Sequence, residues 1–434
     1  MQKLNRRDTL LVGLTLFSMF FGAGNLIFPP FLGAQAGENA WVAMAGFALS
    51  AIGLPVLGVI AVSQAGGLRQ LADRGGRAFG VVFTLLAYLS IGPGLAIPRT
   101  ASTSFEMAVT PFAGTVSVWV RAGYSLAFFT AAVLVALRPE KLTDRLGRFT
   151  GPALLTLICV LTVGCIFNPP GGYGPAAGVY VDGALAQGFL DGYQTMDTIA
   201  ALAFGIVIAL NIQNRGVTDP AAQTRTTVRA GWVAGAVLLA VYSALLHIGA
   251  VAGAAWPGAA DGTGVLTRLA GFLFGPFGNV LLGLVFVIAC MNTCIGLLSS
   301  CGEFFYTLWP RLGLKGWVLL FAAVSFATSI AGLELILAVS VPVLGAIYPV
   351  AIVLILLGLA HRFTGKAPLC YPVAIGFTAL VSVTHSLDTG LGLGLAFMDA
   401  LPFYSMGLGW VLPAVLGAAL GAALSALGLG KKAE

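Results

Sequence analysis

The feature that most constrains this chain is a succession of long apolar runs separated by short polar clusters. A helix needs about 20 apolar residues to cross the ~30 Å hydrocarbon core of a bilayer. The 434 residues are 58% hydrophobic and only 9% charged, which is too little charge for the surface of a soluble protein. Lipid requires backbone polar groups to be paired internally, and the runs lack the alternation of barrel strands. They therefore predict membrane-spanning helices.

The runs predict an all-α membrane protein with twelve transmembrane helices, an even number that returns the chain to its starting side. The predicted spans cover residues 9–36, 39–64, 78–106, 116–137, 148–168, 184–212, 228–255, 277–306, 316–331, 334–359, 371–387 and 403–428. We group them into a first repeat (1–168), a Gly/Pro-rich extracellular loop (169–183), a second repeat (184–359) and two additional helices with a cytoplasmic tail (360–434).

The basic residues are distributed asymmetrically along the chain. All but three of the 22 (the exceptions are Arg99, Arg121 and Arg268) fall at the termini or in every second connection. This positive-inside pattern predicts an inner-membrane protein with both termini in the cytoplasm. It also explains the net charge of +6 without a nucleic-acid partner.

Two predicted spans carry interruptions at corresponding positions. Span 1 contains Phe20-Phe21-Gly22-Ala23-Gly24-Asn25 before Pro29-Pro30, and span 6 contains the polar run 191–197. Glycine and proline disfavour a continuous helix. The two spans enter the membrane from opposite sides, so the pattern predicts inverted repeats around a midplane site. Free N–H groups there suit a carboxylate, and free carbonyls suit an ammonium or a sodium ion. The alternative is a Gly-rich packing face.

Other polar residues in the spans have a functional and a structural interpretation. Asp197 could bind a cation or the free N–H groups of a helix end. Asn292 and Thr293 offer oxygen ligands, although Thr293 could bond to the preceding turn. Arg99 could face a vestibule, pair with Glu106, act in a gate or snorkel to the surface. Six cysteines are interpreted as reduced packing residues; a soft-metal site at Cys290, Cys294 and Cys301, which share a helical face, is the minor alternative.

Three stretches carry a family resemblance. Residues 11–30 (LVGLTLFSMFFGAGNLIFPP), 91–100 (IGPGLAIPRT) and 192–205 (GYQTMDTIAALAFG) resemble the first, third and sixth helices of the branched-chain amino acid:cation symporter family, known as BrnQ or LIVCS. The resemblance extends over essentially the whole chain. It implies sodium-coupled import of leucine, isoleucine and valine. It also implies a leucine-transporter-like (LeuT-like) fold of five plus five inverted helices, with broken helices 1 and 6 and two further helices.

The resemblance also implies residue roles. The substrate site would comprise Phe20, Ala23, Gly24, Asn25, Gly192, Tyr193, Gln194 and Thr195. The sodium site would comprise carbonyls of Ser18 and Phe21 with Ala289, Asn292 and Thr293. Asn292 stands where the fold usually has a hydroxyl residue. Asp197, Arg99 and Glu106 are candidates for coupling or gating. Sodium is the expected coupling ion, with no other cofactor, and the lipid bilayer is the expected surrounding.

Alternative functions are separated by the polar residues they need. A channel requires a continuous polar pore, and the spans hold too few polar residues to line one. An intramembrane enzyme requires a nucleophile–base pair or paired carboxylates, for which Asp191 and Asp197 are a weak match. The main alternative is therefore another carrier, a proton-coupled transporter of small neutral amino acids that uses Asp197.

Overall fold

The computed structural model describes residues 5–113, 116–137, 152 and 155–429, and every regular element within them is helical. The α-helices are α1 (Arg6–Phe20), α2 (Ala23–Ala36), α3 (Ala40–Ala48), α4 (Leu54–Ala65), α5 (Leu68–Asp73), α6 (Arg77–Leu89), α7 (Ala96–Ala108), α8 (Val118–Ala136), α9 (Leu155–Phe167), α10 (Tyr180–Asp191), α11 (Asp197–Asn214), α12 (Pro220–Ala255), α13 (Gly262–Leu308), α14 (Gly313–Ser329), α15 (Leu333–Leu359), α16 (His361–Thr364), α17 (Cys370–Leu391) and α18 (Val411–Ala426). The predicted all-α class is confirmed for these residues.

Eight stretches of the described chain are long and apolar enough to cross a bilayer. They are Ala23–Ala65, Arg77–Ala108, Val118–Ala136, Pro220–Ala255, Gly262–Leu308, Pro310–Ser329, Leu333–Leu359 and Cys370–Leu391. Two shorter apolar helices, α9 and α18, add to these. The chain is therefore a multi-pass membrane protein, whereas the count of twelve spans stays a prediction. The start of the predicted span 148–168 lies outside the described residues.

Several long helices bend where glycine or proline disrupts the hydrogen-bond ladder. In α13, Gly275 has φ +62° and precedes Pro276, so the helix turns sharply just before the predicted span 277–306. Between α6 and α7, a π-helical turn at Ser90–Gly94 contains Pro93 and a non-helical Gly92. Proline lacks the N–H that would continue the ladder. This bend lies about two helical turns before Arg99.

Helices α2 and α12 approach each other more closely than side chains would allow. A methyl group at Gly33 would lie 2.1 Å from the carbonyl oxygen of Leu246, and one at Gly249 would lie 2.0 Å from that of Pro30. Small residues at such a crossing let backbones pack directly in a membrane protein. The crossing holds α2, and hence the interruption before it, against the C-terminal third of α12.

Helix α10 is held by a similar contact with α3, through Gly46 and Gly188. At the end of α10, a methyl group at Gly192 would lie 1.9 Å from the hydroxyl oxygen of Ser50, which belongs to the π-helical turn Leu49–Gly53. Packing on α3 and this turn therefore places the α10–α11 junction beside α2. The two interrupted helices meet in the interior of the protein.

Candidate functional site

The chain between α1 and α2 leaves the helical path at Phe21 and Gly22. Phe21 has extended angles (φ −75°, ψ 92°), and its N–H completes α1 by donating to the carbonyl of Phe17. The N–H of Gly22 donates to Oδ1 of Asn25 over 3.2 Å. In a continuous helix that N–H would bond the carbonyl of Ser18. The Ser18 carbonyl is thereby left without its helical partner, as the last carbonyls of a helix commonly are.

The second junction, between α10 and α11, is a single 3₁₀ turn at Gly192–Thr195 followed by Met196. The Thr195 hydroxyl closes the turn by donating to the carbonyl of Gly192 over 2.9 Å. Met196 has φ +65°, a left-handed conformation that costs a non-glycine residue on the order of 1 kcal/mol. The surrounding packing maintains this strain, and the reversal places Asp197 at the first position of α11.

A buried hydrogen-bond network joins the two junctions. Nδ2 of Asn25 donates to Oδ2 of Asp197 over 2.5 Å and also contacts the hydroxyl of Tyr242 on α12. That hydroxyl donates to the same carboxylate oxygen over 3.3 Å. Asn25, Asp197 and Tyr242 are 1%, 3% and 0% exposed. Neutral donors thus stabilise a buried carboxylate and connect α2, α11 and α12.

Arg99 on α7 lies beside this network. We call Arg99, Asn25, Asp197 and Tyr242 together the polar centre. The Arg99 side chain is 3% exposed, and Nη1 donates to the carbonyl of Gln194 in the 3₁₀ turn over 2.7 Å. Cζ lies 5.4 Å from the ring centroid of Phe28 on α2. A methyl group at Gly24 would lie 2.8 Å from Nη2. The guanidinium therefore lies against the first turn of α2 while it holds the α10–α11 junction.

A cavity of about 770 Å³ lies among these groups. Its wall includes the predicted residues Ser18, Phe20, Ala23, Gly24, Asn25, Arg99, Thr195, Asp197, Asn292 and Thr293. From the junctions it follows α1 towards Leu11 and α13 towards Ser300. It therefore extends towards the end of the helix bundle at which α1 begins.

Helix α13 brings Asn292 and Thr293 to the wall beside the α1–α2 junction. A methyl group at Gly22 would lie 3.2 Å from Oγ1 of Thr293. That hydroxyl donates to the carbonyl of Ala289 over 3.2 Å, so the structural interpretation of Thr293, a bond to the preceding turn, is present in this conformation. The same hydroxyl oxygen keeps lone pairs that can accept a cation.

Six predicted residues lie away from this cavity wall. Phe21 stacks on Phe17 with ring centroids 5.0 Å apart, and Ala289 offers its carbonyl to Thr293. Gly192 packs on Ser50. Tyr193 and Gln194 line a separate cavity of about 310 Å³ between α10, α15, α17 and the segment before α18. The sixth, Glu106, lies on α7 beyond Arg99.

The expected alternative in which Arg99 pairs with Glu106 is wrong for this structure. Glu106 accepts from Thr110 over 2.8 Å and lies 3.8 Å from Arg121 on α8. Seven residues separate Arg99 from Glu106, about two helical turns, and Arg99 turns instead to the Gln194 carbonyl. Arg99 is also too buried to reach the membrane surface.

Tyr242 is the functional candidate that sequence reasoning missed. It lies in a long apolar stretch of α12 without a neighbouring motif, and tyrosine in such a stretch usually packs in the core. The available signal was a phenol near the middle of a predicted span, where its hydroxyl needs a partner. Within the described chain no cluster of three His, Cys, Asp or Glu residues could hold a metal, and the cysteines are free.

Comparison with known proteins assigns the chain to a family. A family model described as branched-chain amino acid transport protein matches residues 5–427. The chain belongs to this family. It is 39% identical to the branched-chain amino acid permease BraB of Bacillus subtilis (95% of this chain, 94% of that one). It is 40% identical to the branched-chain amino acid transport system 2 carrier protein of Pseudomonas aeruginosa (100% and 99%). This branched-chain amino acid transport family protein is a transporter and not an enzyme.

Solved structures identify the fold of this family member. Mhp1, a nucleobase-cation-symport-1 family transporter, matches in a closed conformation with a TM-score of 0.59 at 15% identity, covering 96% of this chain and 92% of that one. Its inward-facing conformation matches with a TM-score of 0.60 at 14% identity, covering 99% and 95%. Mhp1 is LeuT-like, so these matches support a LeuT-like fold, whereas the five-plus-five arrangement with two further helices stays a prediction.

Proposed function

We propose that this protein imports leucine, isoleucine and valine across the inner membrane by sodium-coupled symport. The observation that carries the proposal is the meeting of two helix interruptions, at Phe21–Gly22 and Gly192–Met196, on one large cavity. Relatives that span the whole chain are named branched-chain amino acid permeases or carriers, including BrnQ of Escherichia coli at 36% identity. Family membership and cavity geometry support the same substrate class.

The substrate would lie between the two junctions. Helix α2 begins at Ala23, so the N–H groups of its first turn, including those of Ala23 and Gly24, are available to a carboxylate. Of the carbonyls around Phe20 and Gly192–Thr195, those of Phe20 and Thr195 would accept from the ammonium group, because both residues line the cavity. The carbonyls of Gly192 and Gln194 already accept from Thr195 and Arg99. Leu297, Ala200 and Phe204 give part of the cavity an apolar wall for an aliphatic side chain. Leucine, isoleucine and valine differ by a methylene or its placement, worth about 1–3 kcal/mol in such a pocket.

The coupling ion would bind between α1 and α13. The carbonyls of Ser18 and Phe21 lie at the end of α1, and Thr293 with Ala289 and Asn292 lies on α13 opposite. Oxygen donors suit a hard cation such as sodium. Sodium bound there would stabilise one arrangement of α1 against α13. Since a ligand shifts an equilibrium only through differential affinity, this would favour substrate entry from outside.

Alternating access would move the two proposed repeats, 1–168 and 184–359, relative to each other through spans 1, 2, 6 and 7. The positive-inside pattern predicts that both termini are cytoplasmic, and in that orientation the cavity would open inward. This conformation would release substrate and ion into the cell. No covalent chemistry is required.

A proton-coupled carrier is the second candidate, and Asp197 favours it. This carboxylate is 3% exposed and bonded to Asn25 and Tyr242, so protonation there would alter the contact between α2 and α11. The choice between sodium and a proton therefore depends on whether Thr293 or Asp197 carries the coupling.

The experiment is uptake of radiolabelled leucine into proteoliposomes with an inward sodium gradient, compared with a proton gradient alone. The variant is Thr293→Ala. Thr328→Ala is the matched control, because Thr328 makes the same bond to the preceding turn, with Val324, away from the cavity. Concentrative uptake that needs sodium and is lost only in Thr293→Ala supports the proposal. Uptake driven by protons without sodium favours Asp197. Absence of uptake by folded protein removes the substrate assignment.

A further inference from the structure

The polar centre contains two opposite charges that do not meet. Arg99 and Asp197, each 3% exposed, are the charged side chains that the described chain buries fully. Burial of an unpaired charge is costly, so buried charges are normally paired directly. Among the described residues the direct ion pairs are Arg69–Asp73, Arg121–Glu106 and Arg215–Asp8. Arg99 and Asp197 are near enough to interact electrostatically, yet they remain more than an ion-pair distance apart.

Arg99 faces the cavity with unused hydrogen-bonding capacity. A guanidinium has five N–H donors in a planar fork that matches a carboxylate. One bond goes to the carbonyl of Gln194, and Phe28 covers the cation from one side. Nη2 lies against Gly24, in the first turn of α2. The cation and the N-terminal end of α2 thus reinforce each other at one position on the cavity wall, which becomes the preferred place for an anion.

Asp197 provides the opposite charge on the same wall. The carboxylate receives hydrogen bonds from two neutral donors, Asn25 and Tyr242, both directed at Oδ2. These bonds orient the group and lower the cost of burial but place no positive charge directly against it. An ammonium group has three donors and suits such a carboxylate.

We propose that the zwitterionic head of the transported amino acid completes this pair. The inference rests on the proposed function and deepens it. The substrate carboxylate binds the guanidinium of Arg99 together with the N–H groups of Ala23 and Gly24. The substrate ammonium binds the carboxylate of Asp197. The site and the zwitterion each carry one positive and one negative charge, so the complex is neutral in a low-dielectric environment. Both charged ends are therefore required for tight binding.

This arrangement gives Arg99 and Asp197 direct contacts with the substrate. Binding by the backbone groups of helix ends alone would not require either side chain. If only backbone groups held the substrate, replacing Arg99 or Asp197 would weaken all ligands alike through loss of structure. With direct contacts, each replacement weakens only ligands that carry the matching charge. The affinity for an analogue that lacks that charge does not change on the replacement, as in a double-mutant cycle.

The test uses the purified full-length protein in lipid nanodiscs with sodium present, and measures ligand dissociation constants by calorimetry. The ligands are L-leucine, leucinamide (which lacks the carboxylate) and 4-methylpentanoate (which lacks the ammonium). The variants are Arg99→Gln and Asp197→Asn. The matched controls are Arg121→Gln, on the neighbouring α8, and Asp191→Asn, whose carboxylate accepts from Tyr180 and Gln187 outside the large cavity.

We expect the wild type to bind leucine at least about tenfold more tightly than either analogue, since a hydrogen bond to a charged group contributes ~1.5–3 kcal/mol. Arg99→Gln should lower the affinity for leucine by about the same factor and should change the affinity for leucinamide less than about threefold. Asp197→Asn should lower the affinity for leucine by a similar factor and leave the affinity for 4-methylpentanoate nearly unchanged. The controls should bind leucine like the wild type.

Equal wild-type affinity for leucine and leucinamide overturns the proposal, and this arm does not depend on any variant folding. Equal loss of leucine and leucinamide affinity in Arg99→Gln also overturns it, because that pattern marks a structural role. Alanine and serine are titrated into the wild type as well. If the protein binds alanine and serine but not leucine, isoleucine or valine, the proposed substrates are overturned. The proposed binding of a zwitterion by Arg99 and Asp197 is then retained. Binding of no amino acid would overturn both.

Discussion

Asn25 donates a hydrogen bond to Asp197 over 2.5 Å, although 172 residues separate them in the chain. Asn25 lies in the first turn of α2, and Asp197 is the first residue of α11. Both helices begin immediately after an interruption, so this bond fixes the two interruptions relative to each other. Tyr242 extends the connection to α12. A change at one junction is therefore transmitted directly to the other.

Replacing Asn25 by alanine should destabilise the protein and abolish leucine uptake. The substitution removes the donor to the buried Asp197 carboxylate and the acceptor of the Gly22 N–H. The expected loss is about 2–3 kcal/mol, since a buried charged group loses its partner. Thermal unfolding in detergent measures the change. Asn279→Ala is the control, because Oδ1 of Asn279 is buried without a hydrogen-bond partner in the described chain. Equal shifts in the two variants would contradict the network.

Replacing Gly33 by alanine should separate α2 from α12. The added methyl group would lie 2.1 Å from the carbonyl oxygen of Leu246, and backbone atoms cannot move aside individually. Overpacking of this kind costs about 1–3 kcal/mol. The measurement is the midpoint of thermal unfolding. Gly376→Ala on α17 should leave it unchanged or raise it, because nothing lies within 4 Å of the new methyl group. A Gly33→Ala protein as stable as Gly376→Ala would refute the close crossing.

Replacing Gly22 by alanine should specifically lower the affinity for the coupling ion. Gly22 has extended angles that alanine adopts without strain (φ −122°, ψ −167°), so the effect comes from the methyl group against Oγ1 of Thr293. The sodium concentration for half-maximal uptake should rise about tenfold, equivalent to ~1.4 kcal/mol. Sodium titration of leucine uptake measures it, with Gly123→Ala as control because that position is open. An unchanged sodium dependence would argue against an ion site between α1 and α13.

Glu106→Gln should leave transport within about fivefold of the wild type, because a partly exposed ion pair contributes at most ~1 kcal/mol. Glu106 faces Arg121, and both side chains are partly exposed. Initial rates of leucine uptake at equal protein density provide the measurement. Arg99→Gln in the same assay should abolish uptake. A severe defect in Glu106→Gln with a normal amount of folded protein would restore the coupling role predicted for this residue.

Ser300→Cys should react with a membrane-impermeant maleimide from the cytoplasmic side. Ser300 lines the cavity towards the side of the N-terminus, whereas Ser386 lines the smaller cavity with Tyr193 and Gln194. The background carries Cys159→Ser, because Cys159 is the exposed cysteine of the described chain. Inside-out vesicles should be labelled and intact cells should not. Ser386→Cys is the comparison and should not share this preference. Labelling of Ser300→Cys only from outside would reverse the proposed orientation.

Local properties were sufficient to predict the helical class and the irregular positions. The helical class follows from apolar runs of about 20 residues, whereas Gly22 with Gly24 and the polar run before Asp197 act over one or two helical turns. Sequence reasoning therefore located the residues at which α1 and α10 end. Most of the residues that it selected line the cavity, because intramembrane Asn25, Asp197 and Thr293 are too costly to be accidental.

Tertiary packing decided the partners of these residues. Whether Arg99 meets Glu106 or the carbonyl of Gln194, and whether Tyr242 reaches Asp197, depends on how α7, α10 and α12 cross, which no local pattern specifies. Packing also turned Tyr193 and Gln194 away from the cavity that Thr195 lines. The sequence alone determined which backbone segments cannot remain helical, because that depends on neighbouring residues. The structure decided which charges face each other, because helix packing sets contacts between residues far apart in the chain.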